Sequence, residues 1–317
     1  MRAALLYGPE DLRVEDVEEP EGEVVVEVQA ATTCGTDVKM WRHGHRALAP
    51  YPCRFGHETA GVRLDTGDRV LVSDSIACGE CAPCRAGRPQ ICRAPIWVLG
   101  GFGERIAAPP EALHPIPDHL SAAAAAIAEP LAAAIHAIAR GTDSSDVGVI
   151  GGGPMGLMLG ALMAADGRSV AVSDPHPERR TQATQLGASA VDAQNLGQHD
   201  LVFEAVGRPE AWRAAVNAAA PGGVVVFVGG CPKGAEVTLP PAPIHYDELE
   251  LRGTFHHSPA EVDRALAILG AGGIEWQVLL GETISLEELP LALAAPSGGP
   301  AKKWVVDPRT RATGAAV

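Results

Sequence analysis

Basic residues are the first thing this chain is short of. It carries 25 Lys and Arg against 39 Asp and Glu in 317 residues, a net charge of −14. No phosphate-backbone footprint is visible in such a balance, which excludes nucleic acid as the expected partner. Apolar length is lacking at the start too: MRAALLYGPEDL has no long apolar run behind a basic head, so no signal peptide is expected. The nearest thing to a membrane span is 121–139, but it is mostly alanine, is broken by Glu129-Pro130 and carries His136. A charge and a proline in so weakly hydrophobic a stretch argue against spanning. Internal repeats and low-complexity linkers are absent as well. The expectation is a soluble, cytoplasmic protein with no membrane partner.

What is present is apolar enough to fold. Hydrophobic residues make up 46% and charged residues 20%, which excludes a disordered chain, and the length suits about two domains. Gly 36 and Pro 26 imply many tight turns. The N-terminal part reads β: Val24, Val26 and Val28 alternate with Val25 and Glu27, and 69–72 is a short apolar run between turns. Little helical periodicity precedes residue 120. Ser121 is then a plausible N-cap for an alanine-rich helix. From Val147 onward short apolar strands (147–150, 170–173, 201–203, 224–228, 249–254) alternate with helices (154–165, 177–186, 210–219, 259–269). Continuous hydrophobic strands separated by helices mean a parallel sheet covered on both faces. A final strand at 302–306 has to pair elsewhere.

Four of the seven cysteines, Cys78, Cys81, Cys84 and Cys92, fall within 15 residues. Such a cluster in a protein without a disulfide framework points to metal. Two-residue spacers let successive thiolates fold around one tetrahedral zinc, and four sulfurs fill its coordination, so the site is structural rather than catalytic. Metal would supply folding energy to a loop that has no core of its own. The competing reading is an iron–sulfur cluster, which shares C-x2-C-x2-C, but its run continues x3-C-P. Here seven residues intervene and Arg93 follows Cys92. Coincidence is the third reading.

Gly151-Gly152-Gly153-Pro154-Met155-Gly156 satisfies G-x-G-x-x-G between a strand and a helix. Gly151 suits the tight turn, Gly153 admits a pyrophosphate, and Gly156 lets helix and strand pack closely. The helix N-terminus adds free N–H groups. Alone the motif is weak, but Asp174 follows at the end of the second strand. A carboxylate there accepts hydrogen bonds from ribose hydroxyls and repels a 2′-phosphate, favouring NAD(H) over NADP(H). Arg179 and Arg180 keep NADP(H) open.

Three further segments carry metal donors: Cys34-Gly35-Thr36-Asp37, Gly56-His57-Glu58 and Glu129-Pro130-Leu131. Each has a bland reading as core cysteine, common dipeptide or solvated glutamate. Taken in order with the cysteine loop and the glycine turn, and with 203–207 and Gly222-Gly223 beyond them, they make the chain resemble the zinc-dependent, medium-chain alcohol dehydrogenase family along nearly its whole length. The E-P-L segment is closer to the polyol, sugar and threonine dehydrogenase branch.

The resemblance implies a GroES-like β-rich catalytic domain (1–121 and 257–317, with the zinc loop at 78–92) and a Rossmann doubly wound domain (122–256), with the active site between them. It also implies two Zn2+ per chain and a homodimer or homotetramer. Cys34 and His57 match catalytic zinc ligands, and Glu58 and Glu129 match carboxylates that complete or exchange in the sphere. Cys⁻, neutral His and one carboxylate would leave zinc formally neutral and a good Lewis acid, so three protein ligands plus water or substrate are expected. Asp37 resembles the acid that orients the ligand histidine, and Thr36 the hydroxyl that hands the proton outward.

Where many relatives have a histidine to continue that relay this chain has Lys39, leaving Lys39, His43 and His45 as candidates. The chain is also short between Gly61 and Gly67 and between Arg93 and Gly100, the latter near where relatives shape the pocket. Cys53 and Cys231 match no metal motif and read as packing residues. The implied activity is NAD(H)-dependent interconversion of a secondary alcohol (polyol, sugar or hydroxy-amino acid) and its ketone by hydride transfer. Two alternatives stand beside it: reduction of a conjugated enone or enoyl thioester on the same scaffold, and a non-catalytic nucleotide-binding protein that retains the fold.

Overall fold

The computed structural model describes residues 1–295 and 299–311. The stretch 257–317 assigned above therefore includes residues 296–298 and 312–317, which lie outside the described residues. Around Val24–Thr32 the N-terminal half builds a seven-stranded sheet. Val24, Val26 and Val28 are buried while Val25 and Glu27 are half-buried, as the alternation predicts. Glu58–Arg63 pairs antiparallel along this strand, and Arg105–Ala108 pairs antiparallel with its first residues, Val24–Glu27. Its last residues, Ala31 and Thr32, pair antiparallel with Lys303–Val306, the strand that had to pair elsewhere. The C-terminal end of the chain thus completes the N-terminal sheet. Its core is aliphatic apart from a few rings, with Phe55 and Phe102 meeting edge to face at 4.9 Å between Val26, Val72 and Ile106.

The second half is a six-stranded, all-parallel sheet. Its spatial order is Ser189–Val191, Ser169–Ser173, Asp146–Ile150, His199–Glu204, Ala219–Phe227, Glu250–Gly253. Numbered within the sheet this is 3-2-1-4-5-6, the doubly wound Rossmann order, whose switch point opens a crevice between the first and fourth strands. The first strand of the order, Ser189–Val191, is too short and polar to stand out in the sequence.

The alanine-rich segment forms two helices, Ala122–Ala126 and Ala128–Ala139. Ser121 caps the first as predicted, its side chain accepting from the N–H of Ala124 at 3.2 Å. Pro130 sits in the first turn of the second, where its missing N–H leaves no bond unmade. By length and composition 122–139 could cross a membrane, yet 72% of it is buried within the protein. It is a core element: Leu131 and Ile135 pack in one cluster with Val149, Phe203 and Leu266.

Two expectations need correction. Gly35–His43 is a helix in the half of the chain read as β. Its N-cap is Cys34, a residue outside the usual Ser/Thr/Asp/Asn set, so the start signal is hidden. The helix expected over 210–219 ends at Asn217, and the strand expected over 224–228 starts early, at Ala219. An irregularity in its register beside His199 and Leu201 accommodates Pro221-Gly222.

Candidate active site

Cys34 ends its loop as the cap of Gly35–His43. Its Sγ accepts from the N–H of Thr36 at 3.1 Å, and the Asp37 carboxylate accepts from the Cys34 N–H at 2.8 Å. This reciprocal capping box fixes the thiol's direction. His57 lies just before the strand Glu58–Arg63, and its Nε2 is 3.2 Å from Cys34 Sγ. The other ring nitrogen, Nδ1, is 3.0 Å from the fully buried Asp37. Asp37 therefore holds both members of the pair, as an orienting acid must.

The two glutamates are engaged differently. Glu58 is fully buried, with Oε1 accepting from Lys303 Nζ at 2.8 Å and Oε2 accepting from Thr32 Oγ1. Glu129 Oε1 lies 3.2 Å from His257 Nε2. His57, Glu58 and Glu129 still offer ligand atoms within 4.8 Å of one another, as do Cys34, Asp37 and His57. The two groups share His57, so a thiol, an imidazole and carboxylates, the donor types of a zinc site, adjoin one another.

Burial pushes the Cys34 thiol up. Burial also pulls the His57 imidazolium down, but the charges of Cys34 and Asp37 more than reverse it and set its pKa well above the usual. Glu58 is pushed up to about 7 by burial, with Lys303 opposing and Glu129 reinforcing the rise. Glu129 feels the same burial, yet His257 beside it brings it down to about 2. A thiol and an imidazole 3.2 Å apart, with carboxylate oxygens within 4.8 Å of the imidazole, are the donor types that zinc takes, so the residues fit the zinc that the resemblance implies.

In the cysteine loop all four Sγ atoms lie within 4.8 Å of one another, with Cys81 to Cys84 at 3.3 Å and Cys81 to Cys92 at 3.9 Å. Tetrahedral zinc with sulfurs at 2.3 Å needs edges of about 3.8 Å. Backbone N–H groups point at the sulfurs as well: Arg93 N donates to Cys81, and Cys78 N and Ala94 N donate to Cys92. The N–H groups of Arg93 and Cys84 bring Cys81 down to about 6, while burial and the neighbouring thiols push Cys84 up to about 12.

The glycine turn is built as its motif requires. Gly151 adopts φ +101°, and a Cβ on Gly156 would fall 1.8 Å from the Gly151 carbonyl oxygen. At Gly153 a Cβ would meet nothing within 4 Å, so that position leaves room for a ligand rather than for protein. Pro154 and Met155 open the helix Pro154–Ala165. Asp174 follows the strand Ser169–Ser173 and is buried, accepting from Gly152 N at 2.8 Å and His176 N at 2.9 Å. Burial raises its pKa, but these donors outweigh it and the carboxyl stays low. Arg179 Nη1 stands 3.5 Å from Asp174, and its Nε donates to Gly299 O.

The two halves touch at the site. Lys39 Nζ donates to Gly230 O at 3.0 Å, beyond the strand Ala219–Phe227, so it ties helix to nucleotide-side loop rather than extending from Thr36. His43 is exposed, and His45 stands edge-on to Trp97 with ring centroids 6.5 Å apart. Trp41 is buried in the N-terminal core; Trp97 faces His256 at 5.9 Å. Cys53 is a core residue, as expected, and Cys231 is half-buried.

Lys303, His257 and Asp74 are site residues that motif reasoning passed over. Lys303 was legible only as a lysine opening an apolar strand, and His257 only as half of a His-His pair after the last parallel strand.

Comparison with known proteins agrees with this architecture. Residues 20–118 match the family described as Alcohol dehydrogenase GroES-like domain, and residues 154–271 match Zinc-binding dehydrogenase. An L-threonine 3-dehydrogenase of Rhizobium etli (strain CIAT 652) is 31% identical over 93% of this chain and 95% of its own. A sorbitol dehydrogenase of Bacillus subtilis (strain 168) is 29% identical over 91% of each. The crystal structure of a zinc-binding dehydrogenase from Sinorhizobium meliloti 1021, bound to NADP, superposes with a TM-score of 0.89 at 28% identity, covering 97% of this chain and 99% of that one. With a β-rich N-terminal half, a Rossmann sheet and metal donors at their junction, the chain belongs to the zinc-binding, medium-chain dehydrogenase family.

Proposed function

We propose that this protein interconverts a secondary alcohol and its ketone with NAD(H), with zinc held by Cys34, His57 and one of Glu58 and Glu129, and a second zinc held by Cys78, Cys81, Cys84 and Cys92. The substrate class is a polyol, a sugar or a hydroxy-amino acid, as the names of the relatives suggest. A domain division at about 121 and 257 places this site at the seam. One observation carries the reading: Cys34 Sγ and His57 Nε2 stand 3.2 Å apart with both oriented by Asp37, on the helix whose Lys39 bonds the nucleotide-side loop.

Bound zinc supplies a Lewis acid for the alcohol oxygen. The protein's own residues do the rest. Asp37 keeps the His57 ring turned so that Nε2 faces the thiol. Thr36, next to the cap, offers the hydroxyl that accepts the substrate's proton. Lys303 neutralises Glu58, so that a second buried carboxylate does not weaken the electrophile. Gly151, Gly153 and Gly156 let the backbone approach the pyrophosphate, and Asp174 presents a carboxylate to the adenosine ribose, which favours NAD(H).

The test is NADH formation over a panel of polyols, sugars, β-hydroxy amino acids and simple secondary alcohols, against NADH consumption with an enoyl thioester. Turnover in the first arm and none in the second is expected. Activity confined to the enoyl thioester overturns the reading.

A further inference from the structure

Beside the pocket of Cys34 and His57 lies a second cluster that the proposed reaction leaves unused. Asp74, Glu129, His256 and His257 each place a ligand atom within 4.8 Å of all the others. They come from remote places: Asp74 precedes the short strand Ser75–Ile76, Glu129 opens a core helix, and the histidines follow the last strand of the parallel sheet. His256 is held at φ +61°, a left-handed conformation that a side chain adopts at a cost.

Hydrogen bonding does not account for the arrangement. Asp74 is 6% exposed, and its Oδ1 has no hydrogen-bond partner. It faces His256 Nε2 at 3.5 Å and His257 Nε2 at 3.6 Å, both too long and converging on one oxygen. His257 Nε2 is itself 3.2 Å from Glu129 Oε1, so its single nitrogen addresses two carboxylates. A buried unpaired carboxylate oxygen is costly unless something fills the gap.

The separations name what fits. Oxygen and nitrogen ligands at 2.0–2.1 Å around tetrahedral zinc lie about 3.3–3.4 Å apart. The three measured edges, 3.2, 3.5 and 3.6 Å, bracket that value. Ser75 Oγ, 2.6 Å from His256 Nε2, is the hydrogen-bond partner a cation would displace.

We propose that Asp74, Glu129, His256 and His257 form a further divalent-cation site of zinc type, with Glu129 common to it and to the neighbouring pocket. Two imidazoles and two carboxylates are a borderline donor set that takes zinc in preference to magnesium or calcium. Carboxylate-bridged cation pairs hold two oxygens of one substrate. Polyols, sugars and hydroxy-amino acids all carry a donor atom on the carbon beside the carbinol, and this cation receives it. The substrate clause rests on the proposed reaction; the cation site does not.

The experiment is zinc content by elemental analysis of the full-length protein after equilibrium dialysis in zinc, with D74N, H256Q and C34S alongside and thermal unfolding as a check on folding. Three zincs per chain are expected in the parent, with one lost in D74N and in H256Q and, separately, one lost in C34S. Two zincs in the parent, unchanged in D74N and H256Q, overturn the proposal and leave the cluster a hydrogen-bond network. Loss of a zinc in D74N but none in C34S sustains this site and sinks the Cys34 assignment, so the two failures are told apart. Since D74N is nearly isosteric, a folded D74N that keeps all three zincs also counts against the proposal.

Discussion

At the scale of single residues, the decisive feature is how many charged groups are buried. Lys303 and Glu58 are both buried, and each is the other's only opposite charge at bonding distance among the described residues. Replacing lysine by methionine keeps most of the apolar stem and strands the carboxylate. Breaking a buried pair from one side costs about 3–5 kcal/mol, so K303M is expected to unfold at markedly lower denaturant concentration than K303R, measured by chemical denaturation.

Asp174 gives a second expectation at this scale. With Arg179 3.5 Å away, D174N removes the charge that repels a 2′-phosphate and keeps an oxygen for Gly152 N. The ratio of kcat/KM for NADP+ over NAD+ is expected to rise by about tenfold or more, which takes about 1.4 kcal/mol of discrimination. An unchanged ratio would show that Asp174 does not choose the coenzyme.

Residue by residue, the sequence was most informative where chemistry constrains spacing. Cys78, Cys81 and Cys84 are brought close by two-residue spacers, and the seven-residue return brings Cys92 to them. Cys34, His57 and Glu129 were legible only through a pattern spread over the chain, since nothing in a lone cysteine distinguishes a donor from packing. The partners of Lys303 and His257 were not legible. Their roles arise from contacts across 245 and 128 residues, and local pattern holds no record of such pairings.

Among the elements, the helix Pro259–Ala271 shows how local chemistry is tied to the fold. Ser258 and Glu261 form a capping box at its start, and Glu261 Oε1 also reaches His136 Nδ1 at 2.9 Å on Ala128–Ala139. Removing the cap in S258A is expected to cost about 1 kcal/mol in equilibrium unfolding.

The same glutamate predicts a pH response. Burial raises the Glu261 pKa, but His136 and the Ser258 donors lower it further, and the net value lies below that of an unfolded glutamate. A folded pKa below the unfolded one gives stability that is fully present above the unfolded value, about 4.3, and fades as pH falls through the folded one. E261Q is therefore expected to flatten the loss of stability on acidification below about pH 5, read as Tm against pH. A parallel displacement of the whole curve would contradict it.

Helix Gly35–His43 is the element the sequence hid, and the reason is physical. Its cap is a thiol chosen for another task, and its buried face is only Asp37, Met40 and Trp41. The central parallel strands were plain because burial on both faces leaves them short runs dominated by small and β-branched apolar residues, whereas Ser189–Val191 at the edge gave no such run.

For the molecule as a whole, the cysteine loop is the part with the least core of its own. Of its residues from Cys78 to Cys92 only Pro83 is buried. If the proposed zinc at the four thiols orders it, C84S is expected to lower bound zinc by one per chain. The loop in C84S should become a preferred site of proteolysis, seen as cleavage near residues 78–92 by mass spectrometry. Retention of full protease resistance with a zinc missing would separate the loop's order from its metal.

Because the glutamate at 58 finds its counter-ion at 303, the candidate site is closed by a strand made 245 residues after the acid it neutralises. A nascent chain halted before that strand exposes an open sheet edge at Ala31 and Thr32 and an unneutralised acid beside it. Synthesis must therefore run past residue 306 before the sheet that carries Glu58 is fully paired and its buried acid neutralised.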